Sequence, residues 1–423
     1  MSEMIFPLQS LPPYVRYERL FRHLPPLPTS PKRSRRGRPG VPPEAILRAH
    51  IYRALRAMPR LVDLVFELRN NPCIVKALGF DPLRAPPSLE RFSAFLHDTG
   101  SNQLQQIHHD LVAKLIEKGA IDPRVLAIDS CPIPARVKEN NLKTGISRNR
   151  YDKQKPPKGD PEAGLGVLVH YPRPHTKRVS YFWGYRNHVL SDAESEIPLA
   201  QITLPANASE VKQAVPLLRL ACQTYGLWIE AVVADAEYDA ESILKFIVEK
   251  LRARPYIAAN PRRSRPRDHA VGADPILCEA DLPMVRKGRM TVHGITYVQY
   301  VCPLHYRKKQ RQRYLFCPAQ HPKYVEQKGC NTLIRLTPTI RSTIPYGTRQ
   351  FRHYYNKRTA AERIFSRLLA LAMQEPTVKG LQAVRNHCTI AHITTCLVAL
   401  VAHQEGHADK LRFVRTLVPN FLV

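Results

Sequence analysis

Between Glu44 and Gly119 apolar residues recur every three or four positions, the spacing that lines one face of an α-helix. Ile46, Leu47, Ile51, Ala54, Leu55 and Met58 make one stripe, and Leu61, Leu64, Val65 and Leu68 another. Ser88 is placed to cap a helix carrying Leu89, Phe92, Phe95 and Leu96. Ser101 is placed to cap a longer one carrying Leu104, Ile107, Leu111, Val112, Leu115 and Ile116, ended by Gly119. The pattern predicts a small all-helical domain over 44–120, which reads equally as a DNA-binding module or a plain bundle.

At Val125 the pattern changes to short apolar runs. "RVLAIDS" reads as a buried strand ending in Asp129, followed by strands at "RVSYFWGYRNHVL" and "EIPLAQITL". "ASEVKQAVPLLRLACQTYG" reads as a helix in which Pro216 marks a kink. "IEAVVADAEYD" is a strand ending in Asp235, "AESILKFIVEKL" a helix and "RPYIAAN" a strand. Three strands, helix, strand, helix, strand is the order of an RNase H-like α/β fold. Residues 260–350 break this rhythm with strand-like pieces such as "ITYVQYVC", predicting an inserted β-rich subdomain within a catalytic domain over 121–403. A helical pattern resumes at Phe351, and 404–423 reads as a C-terminal tail.

Charge then narrows the function. The 423-residue chain carries 64 Lys and Arg against 35 Asp and Glu, a formal net charge of +29. That excess points to a polyanionic partner, above all nucleic acid. Basic stretches lie in the proline-rich arm 1–43 (Lys32, Arg33, Arg35, Arg36, Arg38), in "NPRRSRPRD" and in "HYRKKQRQRY". The N-terminus lacks the pattern of a signal peptide. The apolar run Cys388–Val401 is shorter than a bilayer span and reads as a buried helix, so no membrane role is expected. Nine scattered cysteines do not suggest a disulfide framework and fit a reducing compartment.

Asp129 and Asp235 both stand at strand ends, where side chains can project into a shared site. Two adjacent carboxylates repel unless a cation joins them. Mg²⁺ suits such a pair and takes phosphate oxygens as further ligands. Tyr355, Arg358 and Glu362 lie three and then four residues apart, which puts them on one side of a helix. Glu362 then reads as a third metal-holding carboxylate, with Arg358 facing phosphate. The plainer reading of Arg358 and Glu362 is an ordinary i,i+4 ion pair.

At these residues the sequence resembles the DDE transposases of bacterial insertion sequences, in the group with a tyrosine–arginine–glutamate–lysine signature. The resemblance rests on "AIDS", "WGYRNHVL", "ITLPANASE", "VVADAEYDAESI", Tyr355-x2-Arg358-x3-Glu362 and the leading "PPSLERFSAFL". It covers about Pro42 to Leu400 and departs at Leu369, where the signature has lysine; Arg367 or Arg363 is the candidate substitute. Arg186 stands where the family has lysine in its Gly-Tyr-Lys-x-His strand. The resemblance implies an RNase H-like core in which Asp129, Asp235 and Glu362 hold Mg²⁺, with Mn²⁺ as a substitute. It also implies DNA contacts from Tyr355, Arg358, Arg186 and Arg367. The implied chemistry is cleavage at the element's terminal inverted repeats and attack of the freed 3′-OH on target DNA. A homodimer on paired ends in a bacterial cytoplasm, associated with the nucleoid, follows from the same resemblance. An RNase H-like nuclease or resolvase without strand transfer, and an inactive DNA-binding descendant, are the alternatives.

Other signals weigh less. Cys302, His305, Cys317, His321 and Cys330 crowd the insertion without the spacing of a paired-cysteine knuckle, so idle thiols are preferred to a structural zinc. Trp183, Tyr181 and Phe182 read as strand core before they read as base-stacking residues. "GLGVLVH" is too poor in glycine for a dinucleotide loop.

Overall fold

The computed structural model describes residues 9–28, 40–140, 151–173 except 153, 176–260, 276–306, 316–321, 324, 326, 329–336, 340–374 and 376–422. The basic runs at 32–38, 261–268 and 307–313 lie outside these residues. The chain divides into two units, residues 1–258 with 349–423, and residues 259–348.

The first unit opens with α1 (Pro12–Arg22), where the proline-rich composition suggested an extended arm. A proline at the first helical position costs no hydrogen bond, and Tyr17, Leu20 and Phe21 give the helix a face to bury. Five more helices follow: α2 (Pro43–Leu55), α3 (Leu61–Asn70), α4 (Pro72–Leu78), α5 (Leu89–Asp98) and α6 (Ser101–Glu117). Ser101 does not cap α6. Gly100 occupies the cap, its N–H donating to Gln103 Oε1 at 3.0 Å, while the Ser101 hydroxyl donates to Gln382.

A six-stranded mixed sheet forms the centre. It comprises β1 (Val125–Pro134), β2 (Gly164–Arg173), β3 (Thr176–Asp192), β4 (Pro198–Pro205), β5 (Ala231–Ala234) and β6 (Arg254–Ile257). The long β3 pairs antiparallel with β2 along its first half, and with β1 and β4 along its second. β1 and β5, then β5 and β6, pair in parallel. β5 reads Ala-Val-Val-Ala and is wholly buried, as a parallel central strand must be. The segment "GLGVLVH", set aside as a loop candidate, begins β2. Gly184 of β3 has no room for a side chain, because a Cβ there would meet Ile133 O and stand 2.8 Å from Ala135 N.

Helices follow between the strands and after them: α7 (Glu210–Tyr225), which continues through Pro216, the short α8 (Glu241–Lys245) and, beyond the insertion, the closing helices. The last long helix, α12 (Leu381–Gln404), is buried on nearly every side from Ala383 to Ala402 and packs against α6, β4, α2 and α5. Several of its polar groups are paired inside. His392 Nε2 lies 2.9 Å from Asn187 Oδ1, and Gln201 donates to Thr389. No described helix is long and apolar enough to cross a membrane. The final segment docks: α13 (Leu417–Phe421) buries Leu417 and Val418, and Arg16 Nε donates to Leu422 O.

The second unit holds an antiparallel three-stranded sheet of β7 (Val285–Val292), β8 (Ile295–Val301) and β9 (Asn331–Arg335). His293 and Gly294 both take positive φ at the β7–β8 turn, the conformation a two-residue hairpin loop favours. A short helix, α9 (Pro303–Tyr306), contributes Leu304 to a small core with Cys302 and Cys317, against which Cys330 and Tyr324 pack.

Candidate functional site

The parallel pairing of β1 and β5 builds the centre of the site. Ala127 pairs with Val233, so Asp129 and Asp235, each two residues further on, come to the same level of the sheet. Asp129 does not end its strand as the sequence suggested, because β1 keeps pairing with β3 as far as Pro134, whereas Asp235 directly follows β5. Asp129 Oδ1 accepts the Ser130 N–H at 2.8 Å. Asp235 ends its strand and caps a 3₁₀ turn at Ala236–Tyr238, accepting the Glu237 N–H at 3.0 Å.

Burial raises the Asp129 carboxyl to about 7, and the charges of Asp235 and Glu210 push in the same direction. Burial also raises Asp235, reinforced by Glu210 and Glu237. The Arg358 guanidinium opposes both shifts. Two carboxylates this close and this desolvated favour a bound cation over separate ionisation.

The third carboxylate arrives on another element. α10 (Arg349–Asn356) and α11 (Thr359–Ala370) replace the single helix that the sequence pattern suggests. The junction keeps helical dihedrals at Arg358 but tightens: Arg358 N bonds Tyr355 O, and the Thr359 hydroxyl takes Asn356 O. The Tyr–Arg–Glu ridge survives this break. Arg358 lies over the Tyr355 ring at 5.8 Å and bonds Glu362 Oε1 at 2.9 Å. α11 packs on β1 and β3, which brings the ridge to the strand that carries Asp129. Arg358 thus stands between two sets of acids: it pairs with Glu362, whose side chain is 57 % exposed, and acts on both aspartates. Among the described residues, no three His, Cys, Asp or Glu side chains are grouped closely enough to hold one metal ion.

Two arginines expected to face DNA are engaged by the protein itself. Arg186, with a side chain only 10 % exposed, bonds Glu210 at 2.6 Å. Arg367 pairs with Glu196, a carboxylate 2 % exposed that also receives Arg363 at 2.6 Å and Arg412 at 3.1 Å. This cluster ties α11 to the β3–β4 connection and to the C-terminal segment. Leu369 is partly exposed on α11.

Sequence reasoning missed Glu210. It is the first residue of α7 and the last of the quoted "ITLPANASE", where no role was read for it, and its charge reaches both aspartates. Beside it opens a cavity of about 860 Å³, lined in part by Trp183, Arg186, Glu210 and Glu237. Trp183 itself is buried in the strand. In the second unit Cys302 and Cys317 are buried, and Cys278 and Cys330 partly so, all as free thiols.

Two family models match the chain. One is described as a Transposase DDE domain and covers residues 121–294, a range that includes both aspartates and Glu210. The other is described as a Transposase domain (DUF772) and covers residues 9–98, the leading helices. No curated protein matches. Among solved structures, the chain aligns with a piggyBac transposase synaptic complex with hairpin DNA at 10 % identity, over 98 % of this chain and 78 % of that one. The TM-score of 0.37 is too low for that alignment to carry an argument.

Proposed function

We propose that the chain is a DDE transposase of the insertion-sequence type, a reading that the two transposase family matches support, and that it cleaves DNA at the ends of its element and joins the freed 3′-OH to target DNA. The observation that carries this reading is the placement of Asp129 and Asp235 at one level on adjacent parallel strands. Their donor set fits a divalent cation: two oxygen-rich side chains, desolvated and mutually repelling, with no protein cation bonded directly to either among the described residues. Asp129 and Asp235 would hold Mg²⁺ or Mn²⁺, and Glu362 would complete the set by leaving Arg358. When bound, such an ion supplies charge neutralisation for the attacking and leaving oxygens of a phosphodiester.

The remaining roles fall to the chain. Arg358 presents a planar fork that matches two phosphate oxygens, and the Tyr355 ring beneath it limits its swing. The strand order β4-β3-β1-β5-β6, antiparallel on one side of β1 and parallel on the other, supports an RNase H-like core. The net charge of +29 supports largely sequence-neutral affinity for double-stranded DNA. Recognition of terminal repeats is assigned to the leading helices and the inserted unit, acting in a dimer on paired ends. An assay with labelled element ends tests this reading. Wild-type protein with Mg²⁺ should yield joined product, and Asp129→Ala, Asp235→Ala and Glu362→Ala should not. Nicks without joining would replace it with a nuclease, and activity in all three variants would refute it.

A further inference from the structure

Arg186 is a nearly buried guanidinium a few residues along the sheet from two repelling aspartates. It sits on β3 opposite Pro132 of β1, and its charge reaches Cys131, two residues past Asp129. Without a counter-charge of its own, such a cation would seek the nearest carboxylate, because an unpaired buried charge is strongly unfavourable. The nearest free acids would be those that are to hold a metal ion.

Glu210 prevents this. Its Oε1 takes Arg186 Nη1 at 2.6 Å, and its Oε2 accepts the Ser130 hydroxyl at 2.6 Å. Arg186 Nη1 also donates to Ser130 Oγ at 3.1 Å, closing a triangle. Ser130 is the residue whose N–H is bonded by Asp129. The rest of Arg186 is held lightly: Nη2 reaches Val167 O at 3.4 Å, and Nε is buried without a partner. Tyr238, fully buried, lies among all four charged groups (Asp129, Asp235, Glu210 and Arg186), so they form one local cluster.

We propose that Glu210 is a positioning residue that holds Arg186 away from Asp129 and Asp235, so that the two aspartates stay free for a divalent cation. The inference rests on the reading of those aspartates as a metal-holding pair. It separates two effects that an acidic neighbour could have. As a mere additional negative charge, Glu210 would attract a cation whether or not Arg186 were present. As a guard, it matters only while Arg186 is there to be guarded.

Calorimetric titration of the full chain with Mn²⁺ alone distinguishes these. Glu210→Gln should weaken Mn²⁺ binding at least tenfold, with the circular dichroism spectrum unchanged. Adding Arg186→Met to that variant should restore affinity to within threefold of wild type, and Arg186→Met alone should leave it equal or tighter. Unchanged binding in Glu210→Gln, or a double variant as weak as the single, would overturn the proposal. Should Glu210→Gln not fold, a tenfold loss in Arg186→Met alone would overturn it just as well, and equal or tighter binding there would support it. Asp129→Asn serves as the control. Loss of binding there with none in Glu210→Gln removes only the guard, whereas retained binding there removes the metal-holding pair and the guard together.

Discussion

Asp129 and Asp235 each stand two residues beyond the paired positions Ala127 and Val233 of neighbouring parallel strands. The pairing sets both residues at one level of the sheet and so brings the two carboxylates near each other. The repulsion between them is therefore built into the fold, and it sets the first prediction.

The Asp129 carboxyl, raised to about 7 chiefly by burial, is protonated in the folded protein over a range in which the unfolded chain is ionised. The folded state then binds more protons, so the group's contribution is full below about pH 4 and lost as pH rises through about 7. The loss is on the order of 4 kcal/mol. Asp129→Asn should remove this slope. Urea melts of both proteins without metal, at pH 5 and pH 8, check it: the variant should gain relative to wild type at pH 8.

Buried histidines act with the opposite sign. His188 is lowered to about 4, and His387 and His392 to about 3, mainly by burial; burial also holds His50 and His108 well below the ordinary histidine range. The unfolded chain binds protons at these groups first, so stability falls as pH drops from about 6.5 toward 4. Each histidine contributes up to about 1.4 kcal/mol per pH unit, and together they outweigh Asp129 in that window. Thermal melts from pH 7 to pH 4.5 should show a steep loss, and His392→Asn should reduce its slope.

Glu196 is a nearly buried carboxylate that joins Arg363 and Arg367 of α11 to Arg412. Removing one partner of a buried ion pair costs roughly 3–5 kcal/mol, and the low end applies because Arg363 and Arg412 reach solvent. Glu196→Gln should lower stability by about 3 kcal/mol in urea denaturation. It should also reduce DNA cleavage, because the same helix carries Glu362.

Gly184 lies on β3 opposite Pro134 of β1, and the obstructing atoms are backbone. Backbone cannot yield as a side chain can, so Gly184→Ala should destabilise by roughly 1–3 kcal/mol and loosen the β1–β3 pairing. Hydrogen exchange at Ile133 and Ala135 should quicken.

Local chemistry made two buried strands legible. A short β-branched run closed by Asp announces the end of β5 in "EAVVAD", but in "RVLAIDS" the strand continues past Asp129 to Pro134, because β3 goes on pairing with it. The apolar periodicity likewise announced α2, α3, α5 and α6, but not the short α4. Long-range pairing left no such trace. β1 pairs in parallel with β5, with Val125 opposite Ala231, and nothing local in either strand announces the partner. α1 was hidden by prolines that sit harmlessly at its first turn. Glu210 looks like any acidic residue starting a helix until the sheet brings Ser130 and Arg186 to it. The Arg358–Glu362 spacing could be read as an ion pair or as part of a metal site, and the structure shows the ion pair formed.

The central claim is that Asp129 and Asp235 share a metal ion, and anomalous diffraction from crystals soaked in Mn²⁺ tests it most directly. The account predicts a manganese peak within about 2.2 Å of a carboxylate oxygen from each residue. A peak bound to one aspartate alone, or none near either, would contradict it.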